Sequence, residues 1–288
     1  MVADPLQDER PLERQRGNVV QAERAGGAEH AADESAQEPA KSTAERTAEG
    51  TKGFTGRPPW TLMYHSVDSD EQDPYLLTVS PERFARQMDW LNRRKLRGVA
   101  MSELLRAHAD GDAAGLVGLT FDDGYADFPR EVVPVLRRHG FTATAYVVAG
   151  RMGGHNAWDA DAPRKPLVTI AQVRAMASAG VEIGSHSLSH RRMPGLPAEE
   201  LALETRRSKE LLESVVEAPV AGFCYPYGLF DDAAMGAVRE AGYGYGVGIC
   251  HHSGTSRWAL PRCYVGQRDG GLRLRAKRVR HTVRGLGW

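Results

Sequence analysis

Leu116-Val117-Gly118-Leu119-Thr120-Phe121-Asp122-Asp123-Gly124 is an apolar run that stops on two adjacent carboxylates and a glycine. Its aliphatic and aromatic residues read as a buried strand, and Asp-Gly supplies the turn chemistry that ends it. Parallel β/α folds carry their chemistry at the C-terminal tips of such strands, so this stretch bears on architecture and site together. Two neighbouring carboxylates repel, and both stay ionised easily only when a cation sits on one of them. Alone, the dipeptide reads more naturally as a turn.

About sixty residues later comes His186-Ser187-Leu188-Ser189-His190. Imidazoles four positions apart on a single helical turn point to one place. Met193-Pro194-Gly195-Leu196-Pro197 stops any longer helix, which puts the pair on a loop. One aspartate and two histidines can hold a divalent cation and leave positions open for water and substrate. The second aspartate can then take a proton from that water. Either motif alone is weak; the pair is the strongest functional signal in the chain.

The chain around these motifs alternates strands and helices. Strands are expected at 60–64, 116–121, 142–148, 181–184, 220–225, 243–249 and 259–265. Helices are expected at 81–95, 127–139, 169–179, 198–217 and 232–241. Ser80 and Thr169 are good N-caps, and Phe84, Met88 and Leu91 share one helical face. This is an α/β fold with a mostly parallel sheet. About seven strands suit a closed or nearly closed barrel, with an open doubly wound sheet as the alternative. His65, Asp122, Asp123, His186 and Tyr227 all fall just past strand C-termini, on one rim.

His65 is a candidate general acid for a departing amine. His251 and His252 compete for that role, but they open an irregular loop whereas His65 ends a clean strand. A backbone N–H near Tyr227, in Phe223-Cys224-Tyr225-Pro226-Tyr227-Gly228, could face an oxyanion while the aromatic rings line a sugar pocket. Trp158 could stack on a sugar ring or simply pack locally.

A 41% hydrophobic content is enough for a core, and zero formal charge gives no reason to expect a nucleic-acid partner. Three cysteines, none in a C-x-x-C pair, form no disulfide framework. Residues 1–57 hold 11 Asp/Glu and 8 Lys/Arg with few large apolar side chains, a composition expected to stay disordered. Residues 58–267 are expected to form the catalytic domain. Residues 268–288, with 7 Lys/Arg against one Asp, read as a solvated basic tail, with weak contact to an anionic membrane surface as the other reading. No signal peptide and no membrane-spanning run is seen, which predicts a cytoplasmic protein. G-x-S-x-G, P-loop and dinucleotide fingerprints are absent from the sequence.

Thr120 to Gly124, His186 to His190 and Tyr225 to Gly228 resemble the first three motifs of the NodB-like polysaccharide deacetylases, carbohydrate esterase family 4, over residues 60–265. The resemblance implies a distorted (β/α)7-type barrel and a divalent metal, usually zinc. It also implies hydrolysis of N-acetyl groups on an amino-sugar polymer or oligomer. By position Asp122 is then the general base, Asp123, His186 and His190 the metal ligands, and Tyr227 the oxyanion donor. The early Met63-Tyr64-His65 resembles the order in poly-N-acetylglucosamine deacetylases, which supports His65 as the acid. Many members carry an arginine where Cys224 stands; Arg262, in Leu260-Pro261-Arg262, is the candidate to replace it. Two alternatives stand beside this reading: a deacylase or deformylase of a small or lipid-linked amino sugar, and an impaired carbohydrate-binding protein.

Overall fold

The computed structural model of the chain describes residues 57–69, 72–249 and 256–284. His251 and His252 lie outside these residues, as does most of the acidic and basic N-terminal stretch.

Strand β5 (Leu116–Phe121) sits near the middle of a parallel sheet. It pairs along one edge with β1 (Thr61–Tyr64), in a register that sets Leu62 beside Leu119 and Tyr64 beside Phe121. Its other edge is shared. β4 (Arg97–Val99) takes the lower half, and β6 (Thr144–Val147) takes Thr120 and Phe121 at the top. The sheet continues through β7 (Glu182–Ser185), β8 (Gly222–Cys224) and β9 (Tyr245–Gly248). The short strands β2 (Ser66–Val67) and β3 (Thr78–Val79) pair with each other as a separate sheet.

The last segment closes the figure. Its first half, β10 (Leu260–Pro261), pairs with β9, and its second half, β11 (Cys263–Tyr264), pairs with β1. Arg262 lies between the halves, so one short strand joins the two ends of the sheet. The result is a nearly closed barrel of parallel strands with flanking helices. It is the distorted (β/α)7 barrel expected from the motifs, not an open doubly wound sheet.

Helix-start chemistry places the outer layer. Helix α1 (Pro81–Arg93) begins at Ser80, whose hydroxyl accepts from the Arg83 N–H, with proline in the first turn. It buries Phe84, Met88 and Leu91. Helix α2 (Met101–Ala109) turns inward at the barrel floor, where Met101, Leu104 and Leu105 pack with Val99, Tyr146, Tyr245 and Val247. Helix α3 (Val133–His139) follows a π-turn, and α4 (Ile170–Ser178) opens on a full Thr169–Gln172 capping box. Helices α5 (Ala198–Ala202) and α6 (Ser208–Val216) are joined by a second π-turn, Leu203–Arg207. Helix α7 (Asp232–Glu240) precedes β9.

Alternation along the strands sends Tyr146 and Tyr245 into the barrel and Ala145 and Val147 outward. Gly184 and Gly222 make room for those rings: a Cβ on Gly184 would lie 2.4 Å from Tyr146, and one on Gly222 2.3 Å from Tyr245. The two hydroxyls meet at 3.4 Å, and Tyr245 donates onward to Glu182 at 2.7 Å. A tyrosine-filled interior leaves chemistry to the rim.

Residues past Arg268 differ from the solvated tail expected of them. They form helix α8 (Gly271–Arg284), which buries Leu274 in the main core. Six basic residues in the helix obscure one buried leucine when composition alone is read.

Candidate active site

Each strand tip delivers one part of the site. Asp122 and Asp123 follow β5 directly, and both are buried. Asp123 has φ 70° and Gly124 φ 74°, a left-handed turn that aims the two carboxylates differently. Asp122 is anchored by its N–H on the Tyr64 carbonyl at 2.9 Å.

The histidine loop after β7 carries Asp123's partners. Nε2 of His186 and Nε2 of His190 each lie 3.3 Å from Asp123 Oδ1. Ser187 and His190 are also left-handed, with φ 66° each, and the His190 N–H donates to Ser187 Oγ at 3.0 Å. Strain of about 1–3 kcal/mol per such residue persists only where the surroundings impose it. Here they do. Glu204, buried on the π-turn between α5 and α6, accepts from the Leu188 N–H at 3.0 Å and the Ser189 N–H at 2.9 Å.

Asp123, His186 and His190 bring one ligand atom each within 4.8 Å of the others. The donor set fits a divalent cation. His186 Nδ1 faces the Cys224 carbonyl at 2.9 Å, so that nitrogen carries the proton and Nε2 is the one turned to the cluster. Asp122, His186 and Cys224 form a second group of the same size. It is the poorer candidate, because Arg262 already occupies both Asp122 oxygens.

Electrostatics separates the groups. Burial opposes ionisation of Asp123, yet hydrogen bonds from His186 and His190 hold its carboxyl well below the usual range. Burial also works against the His186 imidazolium, but the Cys224 and Asp123 contacts raise its pKa well above the ordinary value. Burial wins at His190 and lowers it.

Asp122 has a different environment. Arg262, arriving from the β10–β11 seam, donates Nη1 to Oδ1 at 2.6 Å and Nη2 to Oδ2 at 2.7 Å. Burial alone would raise the Asp122 pKa; the guanidinium charge and its two hydrogen bonds bring it below the ordinary carboxylate value. Nη2 also contacts Cys224 Sγ at 3.0 Å. Cys224 is fully buried against this guanidinium, so an arginine side chain at 224 would compete for the space Arg262 fills. His65 Nε2 stands 3.9 Å from Asp122 Oδ2. Neither His65 Nδ1 nor His190 Nδ1 has a hydrogen-bond partner among the described residues.

The aromatic expectations change. Tyr225 is buried and donates to the Trp258 carbonyl, so it supports the wall and does not line a pocket. Tyr227 remains at the mouth, left-handed with φ 59°, its ring 4.7 Å from His190. Trp158 stacks on His190 at 4.2 Å, which commits that face of its indole to the histidine. A groove of about 920 Å³ is lined among others by Leu76, Thr78, Tyr264 and Arg273 and by none of the cluster residues.

Sequence reading missed three supporting residues: Glu204, Asp127 and Lys165. Asp127 accepts from Ser66 Oγ at 2.6 Å and from the Val67 N–H at 3.1 Å, clamping the chain just after His65. Lys165 donates to the same Ser66 hydroxyl at 2.6 Å. No local pattern marks these residues, because their partners lie far along the chain.

Burial pushes Asp127 up to about 6, against the hydrogen bonds from Ser66 and Val67. A carboxyl raised in the fold stabilises most below its unfolded pKa of about 4, and that contribution fades as pH rises through about 6. Asp127→Asn should remove this dependence. The wild-type melting temperature, relative to the variant, should fall between pH 4 and pH 6.5. A constant difference across that range would show that Asp127 does not titrate there.

Residues 110–246 match the family described as polysaccharide deacetylase. The Bacillus subtilis (strain 168) protein YxkH, provisionally named a polysaccharide deacetylase, is 29% identical over 188 residues, which cover 65% of this chain and 62% of YxkH. The poly-beta-1,6-N-acetyl-D-glucosamine N-deacetylase of Staphylococcus aureus (strain MSSA476) is 22% identical over 198 residues, 65% of this chain and 66% of that protein. The chain thus spans a little under two thirds of the length of these curated relatives. The Streptococcus pyogenes deacetylase PplD, solved in complex with acetate, shares the fold with a TM-score of 0.66 at 21% identity, covering 76% of this chain and 97% of PplD. Among the described residues no helix is long and apolar enough to cross a membrane.

Proposed function

We propose that the protein is a metal-dependent hydrolase that removes N-acetyl groups from N-acetylglucosamine-type residues of a polysaccharide or oligosaccharide. The observation that carries this reading is the side-by-side placement of two differently equipped aspartates. Asp123 joins two imidazoles in a cation-binding cluster, while Asp122 is held ionised by Arg262. Asp123, His186 and His190 would hold the divalent ion, zinc by family resemblance, which supplies Lewis acidity toward the amide carbonyl and its attacking water.

The remaining steps belong to the chain. Asp122 takes the proton of the attacking water, with Arg262 fixing its orientation and charge. His65, 3.9 Å from Asp122, gives a proton to the nitrogen as the C–N bond breaks. The Tyr227 backbone N–H serves the oxyanion, and its exposed ring borders the sugar. A guanidinium clamped on the base favours a working enzyme over an inert sugar-binding protein, since a binding module has no use for an ionised buried aspartate.

The test is acetate release from N-acetylglucosamine oligomers by purified protein, before and after chelation and zinc reloading. Activity lost on chelation and restored by zinc is the expected result. Oligomer binding without acetate release, in zinc-loaded protein, would leave the carbohydrate-binding reading in its place.

A further inference from the structure

Helix α8 meets the barrel through one face. Leu274 and His281 are buried there, His281 Nε2 lies 2.9 Å from the Pro58 carbonyl, and Lys277 donates to Asp269 and to the Tyr264 carbonyl. The opposite face carries Leu272, Val279 and Val283, which are 84%, 54% and 71% exposed. Spaced by seven and four residues, they fall on one line along the helix. Arg275 flanks that line on one side, Arg273 and Arg280 on the other, with Arg278 further round. The helix contains no Asp or Glu.

Single exposed aliphatic residues are ordinary on a soluble surface; a continuous stripe bordered by arginines is not. We infer that this face docks on an anionic lipid bilayer, with Leu272, Val279 and Val283 entering the headgroup boundary and the arginines reaching lipid phosphates. Charge selects this occupant. A second copy would set one arginine-rich helix against another without a carboxylate on either, and a soluble polyanion would leave the aliphatic stripe in water. The inference is independent of the catalytic proposal.

The test is co-sedimentation of the full chain with vesicles of phosphatidylcholine alone, or with roughly a third phosphatidylglycerol. Binding should favour the anionic vesicles by roughly tenfold or more and weaken with salt. Leu272→Gln with Val279→Gln and Val283→Gln should cut that binding by about tenfold at unchanged melting temperature. Arg273→Gln with Arg275→Gln and Arg278→Gln should abolish the preference for anionic lipid. Undiminished binding by the three-glutamine aliphatic variant would reduce the effect to adhesion to any polyanion and overturn the inference. So would failure of the wild type to sediment with either vesicle, or a solution dimer dispersed by that variant.

Discussion

Asp122→Asn is expected to lower deacetylation by at least about three orders of magnitude while leaving cation binding in place. Asparagine keeps the shape of the side chain and one acceptor for Arg262, but its amide cannot take a proton from water. The proposed cation cluster uses Asp123, not Asp122, and each histidine approaches the Asp123 oxygen at 3.3 Å. Zinc content of the purified variant should therefore match the wild type. The measurement pairs metal analysis with acetate release. Near-full turnover in the variant would remove Asp122 from the role of base.

Arg262→Ala should cost both activity and stability. The guanidinium is fully buried and satisfies both oxygens of a buried carboxylate at 2.6 and 2.7 Å. Breaking one side of such a pair leaves an uncompensated charge, typically destabilising by about 3–5 kcal/mol. The pH sign follows from the same geometry. Arg262 holds the Asp122 pKa down against burial, so the base stays ionised above that low value. Without the guanidinium, burial prevails, the pKa rises, and the acid limb of kcat/KM moves to higher pH. Arg262→Lys should recover part of the charge and little of the two-point geometry. Turnover and acid limb both unchanged in Arg262→Ala would sink the assignment, whatever the melting temperature shows.

Much of this site was legible before any coordinates. The rim position of Asp122, Asp123, His186 and Tyr227 follows from strand ends, which apolar runs and turn residues mark locally. Arg262 was reachable only by asking what could replace a missing arginine at Cys224. Its approach to Asp122 depends on a seam that joins residues 140 positions apart. Glu204 and Asp127 were not legible, because each works by accepting N–H and O–H groups from distant loops. The basic C-terminus was misread for a related reason. One buried leucine, Leu274, decides whether the segment docks, and charge counts do not register it.

The seam at Arg262 has one more consequence. Residues 57–249 already contain the Asp123–His186–His190 cluster, yet Asp122 acquires its counter-ion only when Leu260–Tyr264 slots between β9 and β1. Barrel closure and the pairing of Asp122 with its counter-ion are thus a single event. Under the proposed mechanism, the cation cluster and the base therefore depend on different parts of the barrel, and only the base waits on the closing strand.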